Sequence, residues 1–461
     1  MFKKSETSIQ VAHSHARTLW VGVRSFTLLL PLFLTVLTLL SSPAKSELTL
    51  RQAGAGKSMQ GLPIRSIQFR GDFKLRTYIL HREIDSRVGQ PYDSALVERD
   101  RKKIDGLGIF SEVEPVITDS NDSVNIDFEL KEVWTLLPLL SISRTDDGFD
   151  WLVGASEKNL LGLYLRSAVF YRRFEGENSY GLSGSFPRAF GKDLALGWSV
   201  GESREVDRFA TRDAETDSLM AADYRYLNKY ISLSGGIRLS EKVYASTFVS
   251  YNRENWTVKN GQTTPPGLRK VYDFPRYSLG GGVTLGRVYY DDYFYEGADF
   301  GTALSLINEQ PDGSFSKWRL GFVGRTYVLL GNFNLALRAV YQISSADERV
   351  MPYYISGSLN VRGFADKAER GDYFLGGNAE IRWRSFESRL FYTQLVAFTD
   401  VGSVWGRLHK FSDAISNPYF SVGCGVRLAI KRFLGNIGRA DLAVNTKTGA
   451  LEYYLSAYQF F

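Results

Sequence analysis

From Trp134 to the end of the chain, polar and apolar side chains alternate with a period of two in one stretch after another. Trp318, Leu320 and Phe322 oppose Arg319 and Arg325, and Ala379, Ile381 and Trp383 oppose Asn378, Glu380, Arg382 and Arg384. Phe420, Val422, Cys424, Val426, Leu428 and Ile430 share one side of a run whose other side carries Ser421, Gly423, Gly425 and Arg427. Successive side chains on a strand point to opposite faces, so the pattern predicts strands with one apolar and one charged face. A soluble sandwich also alternates, but its dry face is the inner one. Arginines set repeatedly against a wholly apolar, aromatic-bearing face suit a barrel with lipid outside and a polar lumen. The region 134–461 has 328 residues. At about 20 residues per strand and connection, it holds about 16 antiparallel transmembrane strands. The polar stretches 202–216, 253–269, 309–316 and 344–348 are expected to be loops and turns between them.

The other end of the chain agrees with export. Lys3, Lys4, Arg17 and Arg24 precede an uncharged apolar run from Phe26 to Leu40, and Ser42-Pro43-Ala44 offers the small residues of a cleavage site. That order is a secretory signal peptide, residues 1–44, and its apolar core is shorter than the roughly 20 residues a spanning helix needs. Residues 45–61 read as a flexible linker. Without the leader the formal charge falls from +6 to +3, which gives no case for a nucleic-acid partner. The single cysteine, Cys424, excludes an internal disulfide framework and a cysteine zinc site. Two of the four histidines lie in the leader, so a histidine metal cluster is not expected, nor any other cofactor. Cys424 is expected to face lipid.

Between linker and barrel, residues 62–133 read as a small β-α-α-β-β domain. Pro63 to Arg70 alternates and breaks at Gly71-Asp72; Thr77 to Asp85 forms a short helix. Asp93 is the expected N-cap of a second helix with Leu96, Val97, Ile104 and Leu107 inward. Strands follow at 113–118 and 124–132. The stretch GQPYDSALVERDRKKIDGLGIFSEVEPVI, with its small-residue break and aromatic at Leu107-Gly108-Ile109-Phe110, resembles a POTRA domain. That resemblance implies a sheet edge whose free backbone groups pair with an extended client.

Three pieces then stand in order: Val361-Arg362-Gly363-Phe364; Gly376-Gly377-Asn378-Ala379-Glu380; and Phe398-Thr399-Asp400-Val401-Gly402. The chain closes on Tyr458-Gln459-Phe460-Phe461. Together these resemble the BamA-like superfamily of outer-membrane assembly proteins and their two-partner secretion relatives. The resemblance implies a mainly β protein: a 16-stranded transmembrane barrel at 134–461 behind one α+β POTRA domain at 62–133. The sixth extracellular loop would fold into the lumen, Arg362 meeting Asp400 and Glu380 on the wall, with Gly363 allowing close approach and Phe364 completing the loop motif. Gly377, Phe398 and Gly402 belong to the barrel signature, and Tyr458, Phe460 and Phe461 to the C-terminal barrel signal. Five strand-like stretches follow Phe364, which sets the loop before strand 12 of 16.

The function so implied is insertion or assembly of other outer-membrane proteins by strand pairing, at the POTRA edge and at a lateral seam between the strands near 136–144 and 451–461. The alternative is an outer-membrane pore for a polypeptide or solute. Implied partners are unfolded outer-membrane or exported polypeptides, the lipid bilayer, and periplasmic accessory proteins. The implied location is the bacterial outer membrane with the POTRA domain in the periplasm. One departure from the family pattern stands out: only residues 45–61 separate leader and module, too few for a second POTRA or a plug helix. That counts against two-partner secretion and against docking of accessory lipoproteins.

Two enzyme-like strings carry little weight. Gly54-Ala55-Gly56-Lys57-Ser58 lacks the first glycine of a phosphate-binding loop, where Arg51 stands. Gly197-Trp198-Ser199-Val200-Gly201 matches a nucleophile-elbow string, but the elbow needs strand, sharp turn and helix, and residues 194–201 read as continuous strand. A Ser199–His409 pairing is the remaining hydrolase reading; no enzyme activity is expected.

Overall fold

In a computed structural model, residues 59–461 are described except for 121, 146–147, 175, 190–192, 213–218, 260, 262, 266–267, 292–293, 310–314, 346–349, 358, 366, 368, 389, 407–410, 431–436 and 457–460. The leader, the linker up to residue 58, His409, Tyr458 and Phe460 therefore lie outside the described residues.

The small domain runs β1 (Ile64–Asp72), α1 (Thr77–Glu83), α2 (Ser94–Asp105), β2 (Phe110–Asp119) and β3 (Val124–Glu132). Strand β3 is central, parallel to β1 and antiparallel to β2. Its inward residues Val124, Ile126 and Phe128 are buried with Ile64, Ile79, Leu80 and Ile104 from β1 and the helices. Asp93 caps α2 through the Ala95 amide at 2.9 Å. Asp100, fully buried, accepts from the Asp85 and Ser86 amides at 2.7 and 2.9 Å, so one helix ties down the end of the other.

Sixteen strands form one antiparallel sheet in sequence order. They begin with β4 (Leu136–Thr145), β5 (Gly148–Leu160), β6 (Leu165–Phe174), β7 (Glu177–Phe186), β8 (Leu194–Arg212) and β9 (Leu219–Ser240). Next come β10 (Val243–Val258), β11 (Val271–Asp291), β12 (Phe294–Glu309), β13 (Lys317–Leu330) and β14 (Phe333–Ser344). A loop carrying the short pair β15 (Tyr353–Ile355) and β16 (Glu369–Gly371) intervenes. The barrel resumes with β17 (Tyr373–Glu387), β18 (Phe391–Trp405), a short helix α3 (Phe411–Ser416), β19 (Tyr419–Ile430), β20 (Ile437–Asn445) and β21 (Leu451–Ser456). The loop thus precedes the twelfth barrel strand. The two end strands, β4 and β21, lie side by side, yet among the described residues no ladder joins them. The barrel is nearly closed.

Parity follows the alternation. Phe333, Ile381, Trp383, Val422, Leu428 and Leu442 are exposed on the outer face, whereas Asn334, Glu380, Arg382 and Arg427 are buried on the inner one. Cys424 is also exposed on the outer face. On β21 the outward residues are Leu451, Tyr453 and Leu455. Strands β8 and β10 depart from expectation: they continue through polar stretches at 202–212 and 253–258 that read as loops. Beyond an apolar band the outer face need not be apolar, so polarity there does not end a strand. The inner faces of β8 to β11 carry the reason they persist, a cluster of Phe209, Tyr224, Trp256 and Tyr272, with Phe209 stacked on Tyr272 at 4.5 Å.

The small domain is seated on the barrel. Tyr164, in the β5–β6 turn, is buried in the domain's own apolar core and donates its hydroxyl to the Leu107 carbonyl at 2.9 Å. The Arg76 amide donates to the Gly162 carbonyl at 2.9 Å. Glu132 accepts from the Lys74 and Leu75 amides at 2.6 and 3.1 Å and from the Asn159 side chain at 2.9 Å. Glu83, buried in α1, pairs with Arg188 of the β7–β8 turn at 2.9 Å. Burial pushes the Glu83 carboxyl upward, against the opposing pull of Arg188 and Arg82.

Candidate functional site

The segment between β14 and β17 folds inward instead of standing outside. Its apolar side chains Tyr353, Ile355, Val361 and Phe364 are buried with Val340 and Phe374 of the adjoining strands. Gly402, on the inner face of β18, makes room for this: a Cβ there would sit 2.6 Å from Val361 Cγ2 and 3.2 Å from Ile355 Cδ1. Gly363 has φ +88°, a conformation that glycine adopts without strain, and a Cβ would press on Ser421 and Asn445 at 3.1 and 3.2 Å. Tyr454 of β21 closes the turn: its hydroxyl accepts from the Gly363 amide at 2.9 Å and donates to the Phe364 carbonyl at 3.3 Å. Phe364 meets the Tyr419 ring edge-on at 5.2 Å.

Arg362 is fully buried at the centre. Its Nε and Nη2 donate to the two oxygens of Asp400 at 2.7 and 3.0 Å, and its own amide adds a third bond to Asp400 at 3.1 Å. Its Nη1 donates to Glu380 at 2.7 Å and to Asp441 at 3.0 Å. The guanidinium lies over the Phe398 ring, 3.4 Å from its centroid. Burial works against the charge, but the bonds to Asp400 and the nearby Glu380 and Asp441 outweigh it, and the Arg362 pKa is raised.

The carboxylates have further partners. Arg382 donates to Glu380 at 2.8 Å, Arg427 reaches Glu380 at 3.3 Å and also pairs with Asp441, and Arg439 lies 3.5 Å from Asp441. Asn378 fixes the backbone around the tip, donating to the Asn360 carbonyl at 2.8 Å and to Asp400 at 2.9 Å. In this network Glu380 and Asp441 each have cations besides Arg362. Among the described residues, Asp400 depends on Arg362 for its charge pairing, so removal of Arg362 leaves Asp400 as the buried charge without compensation.

A second anchor lies across the lumen. Lys367 is 3.0 Å from Asp207 and 3.2 Å from Glu205 on β8, and Arg370 also pairs with Asp207. Burial lowers the Lys367 pKa, but these carboxylates more than reverse it. The loop is therefore held at both walls.

Of the residues read from sequence, Arg362, Gly363, Phe364, Glu380, Phe398, Asp400 and Gly402 meet at one place. Gly377 lies on the adjoining strand, where a Cβ would make only ordinary contact with Val401 at 3.4 Å. Phe461 lies apart from them, its ring 5.5 Å from the Arg382 guanidinium and 6.4 Å from the Tyr327 ring. Sequence reasoning passed over Asp441, Arg427 and Tyr454, although alternation set Arg427 on the polar face; Lys367 and its acidic partners carried no motif. The Gly197–Gly201 string lies within β8, with Ser199 opposite Ser183 and Ser232 in uninterrupted ladders. Among the described residues, no cluster of three or more potential ligands forms a metal site.

Residues 62–133 match the family model described as POTRA, surface antigen variable number repeat. Residues 159–451 match the model of the Omp85 superfamily domain. Among solved structures, the chain is similar to BamA from Haemophilus ducreyi lacking POTRA domains 1–3. The identity is 16%, over 86% of this chain and 83% of that one, with a TM-score of 0.53. CdiB from Acinetobacter baumannii is similar at 15% identity, 86% and 73% coverage and a TM-score of 0.53. CdiB from Escherichia coli gives 15%, 86%, 76% and 0.54. At such identities the likeness to these structures is one of fold.

Proposed function

The chain belongs to the Omp85 superfamily, a barrel of the bacterial outer membrane joined to one POTRA domain, and from that membership we propose that it inserts or assembles other outer-membrane proteins. The observation that carries the reading is the seam. Strands β4 and β21 are the barrel strands with only one ladder partner among the described residues, so each offers backbone donors and acceptors to a third strand. In hydrocarbon those groups have no water to satisfy them, and an entering client strand supplies what the bilayer cannot. Exchange of hydrogen bonds, strand for strand, lowers the barrier to insertion without making or breaking a covalent bond. The protein acts here as no enzyme.

With the small domain in the periplasm, clients are unfolded outer-membrane or exported polypeptides arriving at its sheet. The free edge is β2, since β1 is partly covered by the 89–92 segment through the Ile64, Gly89 and Tyr92 amides. Pro115 in β2 lacks an amide donor. A client strand therefore registers on one side of Pro115 and does not run along the whole edge. The buried Arg362 network keeps the loop inside and the β17–β21 wall in shape while the seam opens.

A second reading, a pore for polypeptide or solute, is favoured by the opposite wall. Ser156, Ser183, Ser185, Ser199, Ser232 and Ser234 border a cavity of about 360 Å³. To separate the two, purified protein in liposomes is challenged with an unfolded outer-membrane barrel. Faster folding than with empty liposomes, lost in Arg362→Ala, supports assembly. No acceleration together with steady conductance supports the pore.

A further inference from the structure

The outer surface of β6 to β11 carries charge where a membrane barrel ordinarily turns from lipid to water. Tyr171, Tyr180 and Tyr277 are exposed outward, and Tyr251 packs beside Tyr277 at 5.2 Å between ring centroids. Aromatic rings of this kind mark the interface of a barrel with its bilayer. Towards the end away from the small domain, the next outward positions on the same or adjoining strands are Arg173, Arg204, Arg225, Lys229 and Arg253, all exposed. The side chains of Arg204, Arg225 and Lys229 are 46%, 56% and 62% exposed.

Carboxylates on the same face set the sign of the patch. Glu202 bonds to Arg204 at 2.6 Å and lies 3.8 Å from Lys229, but only 8% of its side chain is exposed. Glu177 is 3.5 Å from Arg225 and 25% exposed, and Asp273 bonds to Arg253 at 2.8 Å. Asp223, the next outward position of β9 beyond Arg225, is half-buried. Five cations therefore stand with four carboxylates, and Glu202 and Glu177 lie largely beneath them. The surface presented outward is positive.

Depth selects the ligand. On β9 the outward Ile231, Leu233, Ile237 and Leu239 are all exposed. A strand rises about 3.3 Å per residue and tilts by about 40°, so the step from Leu239 to Lys229 covers about 25 Å along the membrane normal, the full height of an apolar band. Lys229 then stands at the edge of the hydrocarbon, and its neighbours fall in and just above the headgroup layer. At that depth the abundant anion is phosphate on lipid.

We propose that this face of β6–β11 is a binding surface for an anionic, phosphate-bearing lipid of the leaflet at the end remote from the small domain. Arg204, Arg225 and Lys229 hold the headgroup, Tyr180 sits beside it, and the outer faces of β8 and β9 receive the acyl chains. Such a lipid fixes the long β8–β11 wall in the bilayer, on the side of the barrel away from the β4–β21 seam. Clusters of basic side chains at headgroup depth attract anionic lipid by charge, with a salt-dependent strength.

The test uses the full chain in phosphatidylcholine vesicles containing a minority of phosphatidylglycerol. Spin-labelled phosphatidylglycerol and phosphatidylcholine report the share of each lipid immobilised by the protein. A several-fold preference for phosphatidylglycerol is expected, falling towards none in Arg204→Gln/Arg225→Gln/Lys229→Gln. Equal immobilisation of both labels by the native protein, or an unchanged preference in the variant, overturns the proposal. Should the variant not fold, the native protein decides alone: its preference must weaken as salt is raised, and a preference indifferent to salt overturns it.

Discussion

Lys367 and Asp207 stand 3.0 Å apart although one belongs to the inward loop and the other to β8, on the wall opposite the Arg362 network. With Arg370 and Glu205 completing the group, the loop crosses the lumen as a strap fixed at two ends. Lys367→Ala/Arg370→Ala frees one end and leaves Asp207 without these partners. Charge-assisted bonds of this type contribute about 2 kcal/mol. In planar-bilayer recordings the variant should show frequent, larger openings than the native protein, and Glu205→Gln/Asp207→Asn should do the same. Identical traces would mean that this end of the strap does not close the lumen.

Arg362 separates charge from shape. Arg362→Ala leaves Asp400 buried and deprived of its fork, a loss of about 3–5 kcal/mol in the docking of the loop. Arg362→Lys keeps the charge but cannot span both Asp400 oxygens and Glu380 together, and should fall between. Arg362→Ala/Asp400→Asn should recover part of the loss, because no orphaned carboxylate remains. Amide exchange over residues 353–364 in the membrane-embedded chain reads the order. A double variant worse than Arg362→Ala would contradict the network as drawn.

Gly402 tests packing alone. In Gly402→Val the new side chain enters space held by Val361 and Ile355, and overfilling of this kind costs about 1–3 kcal/mol. The loop tip should become open to added protease while the barrel keeps its heat-modifiable migration on gels. Full protection of the tip would show that the loop has slack at this contact.

How much of this was open to a reader of the sequence depends on the range of the cause. Alternation is local, so the outward sets on β17 and β19 could be read residue by residue. The same parity put Glu380 and Arg427 on polar faces. Parity does not say which polar residues share a level: that depends on the stagger of β17 through β20, which brings Asp441 to Arg362 across 79 residues. Motif matching supplied Arg362 and Asp400 but not Tyr454, whose contact with Gly363 rests on the last strand's inward face. The extension of β8 and β10 was hidden for another reason. Above the bilayer a strand and a loop have the same polar composition, and only the buried Phe209–Tyr272 stack distinguishes them. Tyr164 gave no sign either, because an aromatic in a turn looks alike whether it faces solvent or another domain's core.

Glu83 makes the seat of the small domain sensitive to pH. Its carboxyl is raised above the ordinary glutamate value chiefly by burial, with Arg188 and Arg82 pulling the other way and Asp193 adding to the rise. A folded-state pKa above the unfolded one means that the group's stabilising contribution is complete below the unfolded value and is lost as pH rises through the folded one. Protection of the α1 amides in the full chain, corrected for intrinsic exchange, should therefore be greater in mild acid than at neutral pH. Glu83→Gln cannot ionise, and it should hold the acid-side protection across the range with a flat profile. The Arg188 guanidinium keeps Asp193 as a partner in that variant, so loss of the Glu83 charge does not strand it. A native profile that rises towards neutral pH would show instead that the Glu83–Arg188 attraction outweighs burial, and the seat would then be an ion pair that acid releases.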